Sequence, residues 1–171
     1  DAATAMAAEL ALGDVAYHAG EPDQALSAYQ AALQLAWRLR DRAHGAQALA
    51  CIGRVERDRG EYSRCYEHLL SALRLFERVD DSSGVARTCN DLGRMFWLKG
   101  NFDKALRAYR KSEEIHRRER DRYGLAESVH CIGSVHFDRG DLDLAHEYLE
   151  DALALRRRVD DRWGIAESLN A

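Results

Sequence analysis

Eleven of the twelve glycines in the chain recur at one fixed spacing of 40 residues. They form three rows: Gly13, Gly53, Gly93 and Gly133; Gly20, Gly60, Gly100 and Gly140; and Gly84, Gly124 and Gly164. Gly45 lies one residue out of register. A period in this range is typical of stacked repeats, each of which buries its apolar face against its neighbours. The sequence therefore predicts one repeat array over residues 1–171.

The composition favours helices as the building elements of each repeat. Pro22 is the only proline, and Ala, Leu, Arg and Glu are abundant, which together favour helix. A glycine inside a helix costs about 1 kcal/mol, so each row needs a structural reason. Gly60 suits the position directly after a helix, where the backbone commonly adopts the left-handed conformation. Gly53, in mid-helix, suits a close approach of the neighbouring helix, and we expect it to meet the small-residue row Ala25, Cys65, Ala105 and Ala145.

Each repeat is predicted to be a pair of antiparallel helices. In the second repeat the first helix is expected from about residue 43 to 59, after Asp41 as its cap, and the second from about 61 to 79. This predicts four helix pairs, about 1–40, 41–80, 81–120 and 121–160, and the first helix of a fifth repeat, 161–171. Because no polar-faced cap ends the array, we expect the chain to be part of a longer protein.

The landmarks of these repeats resemble the tetratricopeptide repeat. The resemblance is carried by Leu12-Gly13, Tyr17, Gly20, Ala25, Tyr29 and Ala32, and by Leu92-Gly93, Phe96, Gly100, Phe102, Ala105 and Tyr109. The usual repeat has about 34 residues. The longer repeat here is similar to those of LGN/Pins-type cell-polarity adaptors and of some bacterial signalling proteins. The resemblance implies an all-α, right-handed solenoid that binds a protein or peptide on its concave face.

The peptide specificity of LGN/Pins-type adaptors is not carried over to this chain. Those adaptors commonly have Asn directly after the first glycine. The corresponding residues here are Asp14, Arg54, Arg94 and Ser134. The sequence therefore predicts a binding groove without predicting which partner occupies it.

Charge and residue spacing argue against several other functions. The net charge of −4 gives no overall basic field for nucleic acid, and no apolar run reaches the roughly 18 residues of a membrane helix. The four cysteines show no CxxC pair, so neither a zinc site nor a disulfide framework is indicated, and we expect a reducing, cytoplasmic setting. His130 and His136 are six residues apart, which is not a metal-ligand spacing on a helix. We expect no enzyme, cofactor or metal.

The predicted binding surface is an inner stripe on the first helix of each repeat. Its residues are Arg54, Arg57, Arg87, Asn90, Arg94, Trp97, His130 and Phe137. Arginines beside aromatic residues are enriched at binding hot spots, although a charged outward face that is merely solvated is the alternative interpretation. Guanidinium groups suit carboxylates, so we expect an acidic segment with one or two apolar anchors, bound at micromolar affinity.

Three further interpretations follow from the pattern. The second function class is a regulatory or sensor region of a multi-domain signalling ATPase or kinase. An arginine row, Arg38, Arg78, Arg118 and Arg158, suits either the carboxyl ends of helices or an acidic partner. Leu153, Leu155 and Val159 are expected to be less covered than their counterparts, which predicts end-to-end self-association.

Overall fold

The computed structural model describes residues 1–158 and residue 164, and within this part of the chain every regular element is a helix. The eight helices have 17 or 18 residues each. They are α1 Ala2–His18, α2 Pro22–Leu39, α3 Arg42–Asp58, α4 Tyr62–Arg78, α5 Ser82–Leu98, α6 Phe102–Glu119, α7 Arg122–Arg139 and α8 Leu142–Arg158. The predicted all-α fold of helix pairs is confirmed. The predictions for Val159 and for the fifth repeat's helix fall outside the described residues.

The chain divides into two compact units, Asp1–Gly84 and Val85–Ala171. In the first unit α1 packs on α2, α2 on α3 and α3 on α4. In the second unit α6 packs on α7 and α7 on α8. Within each unit, connections of two or three residues make successive helices antiparallel neighbours.

Asp41 caps its helix as predicted, and the aspartates at the same place in the next two repeats do the same. The carboxylate of Asp41 accepts a hydrogen bond from the backbone N–H of His44 at 3.1 Å. Asp81 and Asp121 accept equivalent bonds from Gly84 and Gly124, at 2.8 and 3.0 Å. Each bond satisfies a backbone donor that has no partner inside the helix. The bond from His44 also lowers the pKa of Asp41 below its usual value.

The first and the second helix of a repeat end differently. Behind the first helix of each repeat, Gly20, Gly60, Gly100 and Gly140 have φ between 70° and 86°, which confirms the prediction for this glycine row. Behind three of the second helices, the left-handed residue is Arg40, Asp80 or Arg120, with φ between 55° and 57°. These three positions hold no glycine, so the sequence pattern did not predict their left-handed conformation.

The mid-helix glycines do bring two helices close together, and the carbonyl oxygen of Cys65, in the small-residue row, would lie 3.4 Å from a Cβ atom on Gly53, but the nearest atoms belong to a larger residue than expected. A Cβ atom on Gly93 would lie 2.6 Å from Cε1 of Tyr109, and one on Gly53 would lie 2.9 Å from Cγ of Leu69. The glycine therefore makes room for a large side chain of the second helix. The small-residue row lies one helical turn earlier on that helix, and the bulky side chain rather than the small one fills the space.

Each unit has its own core of apolar side chains. In the first unit the core includes Met6, Leu10, Tyr29, Ala32, Ile52 and Val55, drawn from α1, α2 and α3. In the second unit it includes Ala105, Leu106, Tyr109, Ile132 and Val135, drawn from α6 and α7. None of the helices in the described residues is long and apolar enough to cross a membrane.

Candidate functional site

The structure divides the eight predicted binding residues by their exposure. Arg57, Asn90 and His130 are only 6%, 8% and 9% exposed, so the prediction that these three side chains are open to a partner is wrong. The exposed residues are Arg87, Arg94 and Phe137, and the half-buried ones are Arg54 and Trp97.

Arg57 is buried because it joins the first helices of two successive repeats. The Tyr17 hydroxyl on α1 donates a hydrogen bond to Oδ2 of Asp58 on α3, at 2.5 Å. Arg57 donates from Nε to Oδ1 of the same carboxylate at 2.8 Å and from Nη2 to the Tyr17 oxygen at 3.3 Å. Burial raises the pKa of Tyr17, and its hydrogen bond to Asp58 raises it further. Arg57 therefore holds α1 and α3 together.

Arg54 lies beside this cluster and is engaged by it. Its guanidinium carbon is 5.6 Å from the centre of the Tyr17 ring, which is within the range of a cation–π interaction. Its Nη2 also lies 3.0 Å from Sγ of Cys51. The guanidinium group therefore has favourable contacts within its own unit.

Trp97 repeats the Tyr17 arrangement in the second unit. Its indole Nε1 on α5 donates a hydrogen bond to Oδ2 of Asp138 on α7, at 2.7 Å. In both units an aromatic residue binds an aspartate 41 positions later. These two pairs were not predicted, although their recurring spacing of 41 residues is visible in the sequence. Trp97 is consequently held in a fixed orientation at the edge of α5.

The exposed face of α5 carries the charge that the sequence predicted. Arg87, Arg94 and Leu98 follow one another at spacings of seven and four residues, so they share one face of the helix. Both arginines are exposed, and Leu98 is 52% exposed. Asp91 lies between the arginines and is half-buried. We call Arg87, Arg94, Trp97 and Leu98 the α5 face.

Asn90 is buried in a polar cluster within the second unit. Oγ of Ser128 on α7 lies 3.2 Å from Oδ1 of Asn90 and 3.1 Å from Oγ of Ser112 on α6. The cluster joins three helices, and buried polar atoms that are hydrogen-bonded in this way stabilise one packing arrangement. The role of Asn90 is therefore to fix the position of α5.

Phe137 lies in a groove formed with α8. The side chain is 53% exposed and lines the groove with Leu142, Ala145, Leu149 and Leu153. We call this the α7/α8 groove. Its lining also includes two polar side chains, His146 and Glu150.

Two other predictions concern charged and metal-binding side chains. Arg38, Arg78, Arg118 and Arg158 are all exposed, and Arg118 lies 3.3 Å from Oε1 of Glu119. This contact fits the interpretation that the row interacts with charges near helix ends. Among residues 1–158 and 164, no group of three or more His, Cys, Asp or Glu side chains is arranged to hold a metal ion.

Family models identify the repeats. Two models described as tetratricopeptide repeat match residues 45–118 and 125–159. The chain belongs to the tetratricopeptide-repeat family. Each matched segment contains at least one mid-helix glycine and at least one residue of the small-residue row. No curated protein matches the sequence of this tetratricopeptide-repeat chain significantly.

Solved structures share the fold of this tetratricopeptide-repeat chain at low sequence identity. A Rap protein complexed with Competence and Sporulation Factor has a TM-score of 0.91 at 15% identity, over 98% of this chain and 46% of its own. BtubC (BKLC) from P. vanneervenii has a TM-score of 0.80 at 19% identity, over 94% of this chain and 66% of its own. The Rap conjugation gene regulator of plasmid pLS20, solved with a peptide, has a TM-score of 0.75 at 18% identity, over 95% and 50%. The chain thus spans about half to two thirds of these proteins.

Proposed function

We propose that this chain is a non-catalytic interaction module that binds an acidic segment of a partner protein on the α5 face. The observation that carries the proposal is the stripe of Arg87, Arg94 and Leu98, which combines two exposed guanidinium groups with an exposed apolar side chain. Trp97 lies beside the stripe and is held by Asp138. A fixed aromatic side chain lowers the ordering cost of binding.

The spacing of the α5 face suggests the form of the bound segment. Arg87 and Arg94 are seven residues apart on a helix, which corresponds to about 10 Å along its axis. An extended peptide covers about 3.3 Å per residue, so two acidic residues three positions apart would match the two arginines. Leu98 lies about 6 Å further along, so an apolar residue two positions after the second acid would contact it.

The comparisons support the peptide part of the proposal. One structural neighbour was solved with a peptide, and the fold shared with this chain offers the same arrangement of helix pairs. The acidic character of the segment rests on this chain alone, because it follows from the arginines of α5. Guanidinium groups bind carboxylates in a two-point geometry that lysine does not offer.

Synthetic peptides test the proposal directly. We expect a labelled Glu-Ala-Ala-Glu-Ala-Leu peptide to bind at micromolar affinity in fluorescence anisotropy and a Lys-Ala-Ala-Lys-Ala-Leu peptide not to bind. The double variant Arg87→Ala with Arg94→Ala should weaken binding about tenfold, since exposed ion pairs contribute up to about 1 kcal/mol each. Added salt should also weaken it.

A matched control separates the α5 face from general surface charge. Arg107 and Arg110 are exposed arginines on α6, and replacing both by alanine removes the same net charge. The control variant should bind like the wild type. Equal affinity for the acidic and basic peptides, or equal losses in the two double variants, would contradict the proposal.

A regulatory role in a larger signalling protein is the second candidate function. It is favoured by the similarity to the Rap conjugation gene regulator, of which this chain covers only 50%. In that case, the α5 face would bind a segment of the same polypeptide or a regulatory peptide in a cytoplasmic protein. A pull-down with the chain followed by peptide mapping separates the two, because the scaffold function requires an acidic segment of a partner protein, whereas the regulatory role requires a segment of the same polypeptide or a free regulatory peptide.

A further inference from the structure

The connection between α2 and α3 exposes two large apolar side chains beside three arginines. Trp37 and Leu39, at the end of α2, are 48% and 42% exposed. Arg38, Arg40 and Arg42 are exposed as well. We call these five residues the α2–α3 rim. All of them lie in the first unit, and together they combine positive charge with exposed apolar surface.

The exposure of the rim belongs to its position in the repeat. The residues 40 and 80 positions after Trp37 are Glu77 and Arg117, and both are exposed. The residue 40 positions after Arg40 is Asp80, which is also exposed and has the same left-handed backbone. These positions are therefore open in later repeats as well, and what differs is the chemistry of the residues that occupy them.

The fold does not require arginines in the rim. In the next repeat, Asp80 and Ser82 occupy the places of Arg40 and Arg42, and the left-handed turn is the same. Arg42 is the first residue of α3, where the helix dipole disfavours a positive charge. Arg40 has a φ of 56°, at which a glycine would be unstrained. Residues that are locally unfavourable in this way point to a function outside the packing of the fold.

The positive charge of the rim is not neutralised within the described part of the chain. Among the described residues, no carboxylate forms an ion pair with Arg38, Arg40 or Arg42. Asp41 is the one acidic residue between them, and its carboxylate is bound by His44. The backbone N of His44 lies 3.1 Å from Oδ1 of Asp41, and its Nδ1 lies 2.7 Å from Oδ2. The rim therefore offers three guanidinium groups to an anionic partner.

We propose that the α2–α3 rim docks the protein on the surface of an anionic lipid bilayer. Guanidinium groups bind phosphate in a two-point geometry. Tryptophan is enriched at the level of the lipid headgroups, because its ring is apolar and its N–H remains hydrated there. Leu39 gains by transfer from water to the apolar layer beneath. A nucleic acid would offer phosphates to the arginines but no apolar layer to Leu39, so the composition of the rim favours the bilayer.

Sedimentation with lipid vesicles tests the proposal. We expect the protein to pellet with phosphatidylcholine vesicles that contain about 30% phosphatidylserine and to stay in solution with phosphatidylcholine alone. A basic residue near an anionic surface contributes about fivefold to binding, so the triple variant Arg38→Gln, Arg40→Gln and Arg42→Gln should bind about 100-fold more weakly. Added salt should weaken the binding of the wild type. Helix content by circular dichroism checks that each variant folds.

A matched control removes the same charge elsewhere. It replaces three exposed arginines of α4 and α6 by glutamine, namely Arg74, Arg107 and Arg110. This variant should pellet with the phosphatidylserine vesicles like the wild type. Because the change in net charge is equal in the two triple variants, a difference between them assigns binding to the rim.

Tryptophan fluorescence tests the apolar part of the contact. The emission of the wild type should shift to shorter wavelength when phosphatidylserine vesicles are added, since Trp37 would leave water. Trp37→Phe should abolish the shift while the variant still pellets, because phenylalanine keeps an apolar ring at this position. Tyr66→Phe, at a 39% exposed position on α4, is the control and should leave the shift unchanged.

Four results would overturn the proposal. The first is a wild-type protein that stays in solution with both kinds of vesicle, and the second is an equal loss of binding in the two triple variants. The third is a fluorescence shift that persists in Trp37→Phe. The fourth is binding of a polyuridine oligonucleotide through the rim without binding of vesicles, which would assign the rim to nucleic acid. The peptide experiment on the α5 face is independent of all four.

Discussion

Replacing Gly93 by alanine tests how the two helices of a repeat pack together. The added Cβ would lie 2.6 Å from Cε1, 2.7 Å from Cδ1 and 2.9 Å from Cζ of Tyr109. Carbon atoms in contact are normally about 3.5–4.0 Å apart, so the ring would have to move by about 1 Å. Tyr109 is fully buried, so its ring moves only if the side chains packed around it also move.

The expected loss of stability follows from two opposing contributions. Overpacking of a tight core costs about 1–3 kcal/mol, and we take about 3 because the clash is with a buried ring. Alanine favours a helix over glycine by about 1 kcal/mol. The free energy of unfolding should therefore fall by about 2 kcal/mol, which lowers Tm by about 4–8 °C for a chain of this size.

The same substitution at Gly45 is the control. There the added Cβ would lie 3.4 Å from Cζ3 of Trp37, which is an ordinary contact. Gly45→Ala should therefore raise the urea midpoint while Gly93→Ala lowers it. In a Tyr109→Leu background the cost of Gly93→Ala should shrink, because the ring atoms are gone. If Gly93→Ala stabilised the protein as Gly45→Ala does, the close-packing argument would be refuted.

Three further predictions concern the helix cap Asp41, the turn at Gly100 and the hydrogen bond between Trp97 and Asp138. The pKa of Asp41 is lowered by its bond from the backbone of His44, so its stabilising charge is present above about pH 4 and is lost as pH falls through the lowered pKa. The stability difference between wild type and Asp41→Asn, measured by urea unfolding, should therefore vanish towards pH 2. Gly100→Ala should cost about 1–2 kcal/mol in the same assay, because φ is 70° there although no atom lies within 4 Å of the new Cβ. Asp138→Ala should lower stability by about 1 kcal/mol in thermal melts through loss of the Trp97 bond, whereas Asp23→Ala, at a side chain 93% exposed, should cost less than about 0.5 kcal/mol.

The repeat pattern was sufficient to predict the helices, because it recurs at positions where local geometry decides the residue. A glycine that follows a helix and an aspartate that precedes one each have a backbone reason to be there. The expected helices of the second repeat, about 43–59 and 61–79, compare with Arg42–Asp58 and Tyr62–Arg78 in the structure. Spacing alone was therefore enough to predict where these helices begin and end.

The candidate site was harder to predict, because exposure depends on which side chains find partners. Arg57 and Trp97 occupy equivalent positions and were both expected to face a ligand. Arg57 is bound by Asp58 and Tyr17 and is buried, whereas Trp97 binds Asp138 and stays half-exposed. Spacing places a residue on a helix face, but it does not show which neighbouring carboxylate reaches it.

The two kinds of turn, within and between helix pairs, affect where the folded chain unfolds locally. Turns inside a helix pair use glycine in the left-handed region, where it is unstrained. At Arg40 and Arg120, between pairs, a residue with a side chain adopts that region, at a cost of about 1–2 kcal/mol. Local opening needs less free energy where the backbone is already strained. Amide hydrogens around these two residues should therefore exchange with solvent sooner than those around Gly20 and Gly140, and each helix pair should act as one cooperative unit of fluctuation.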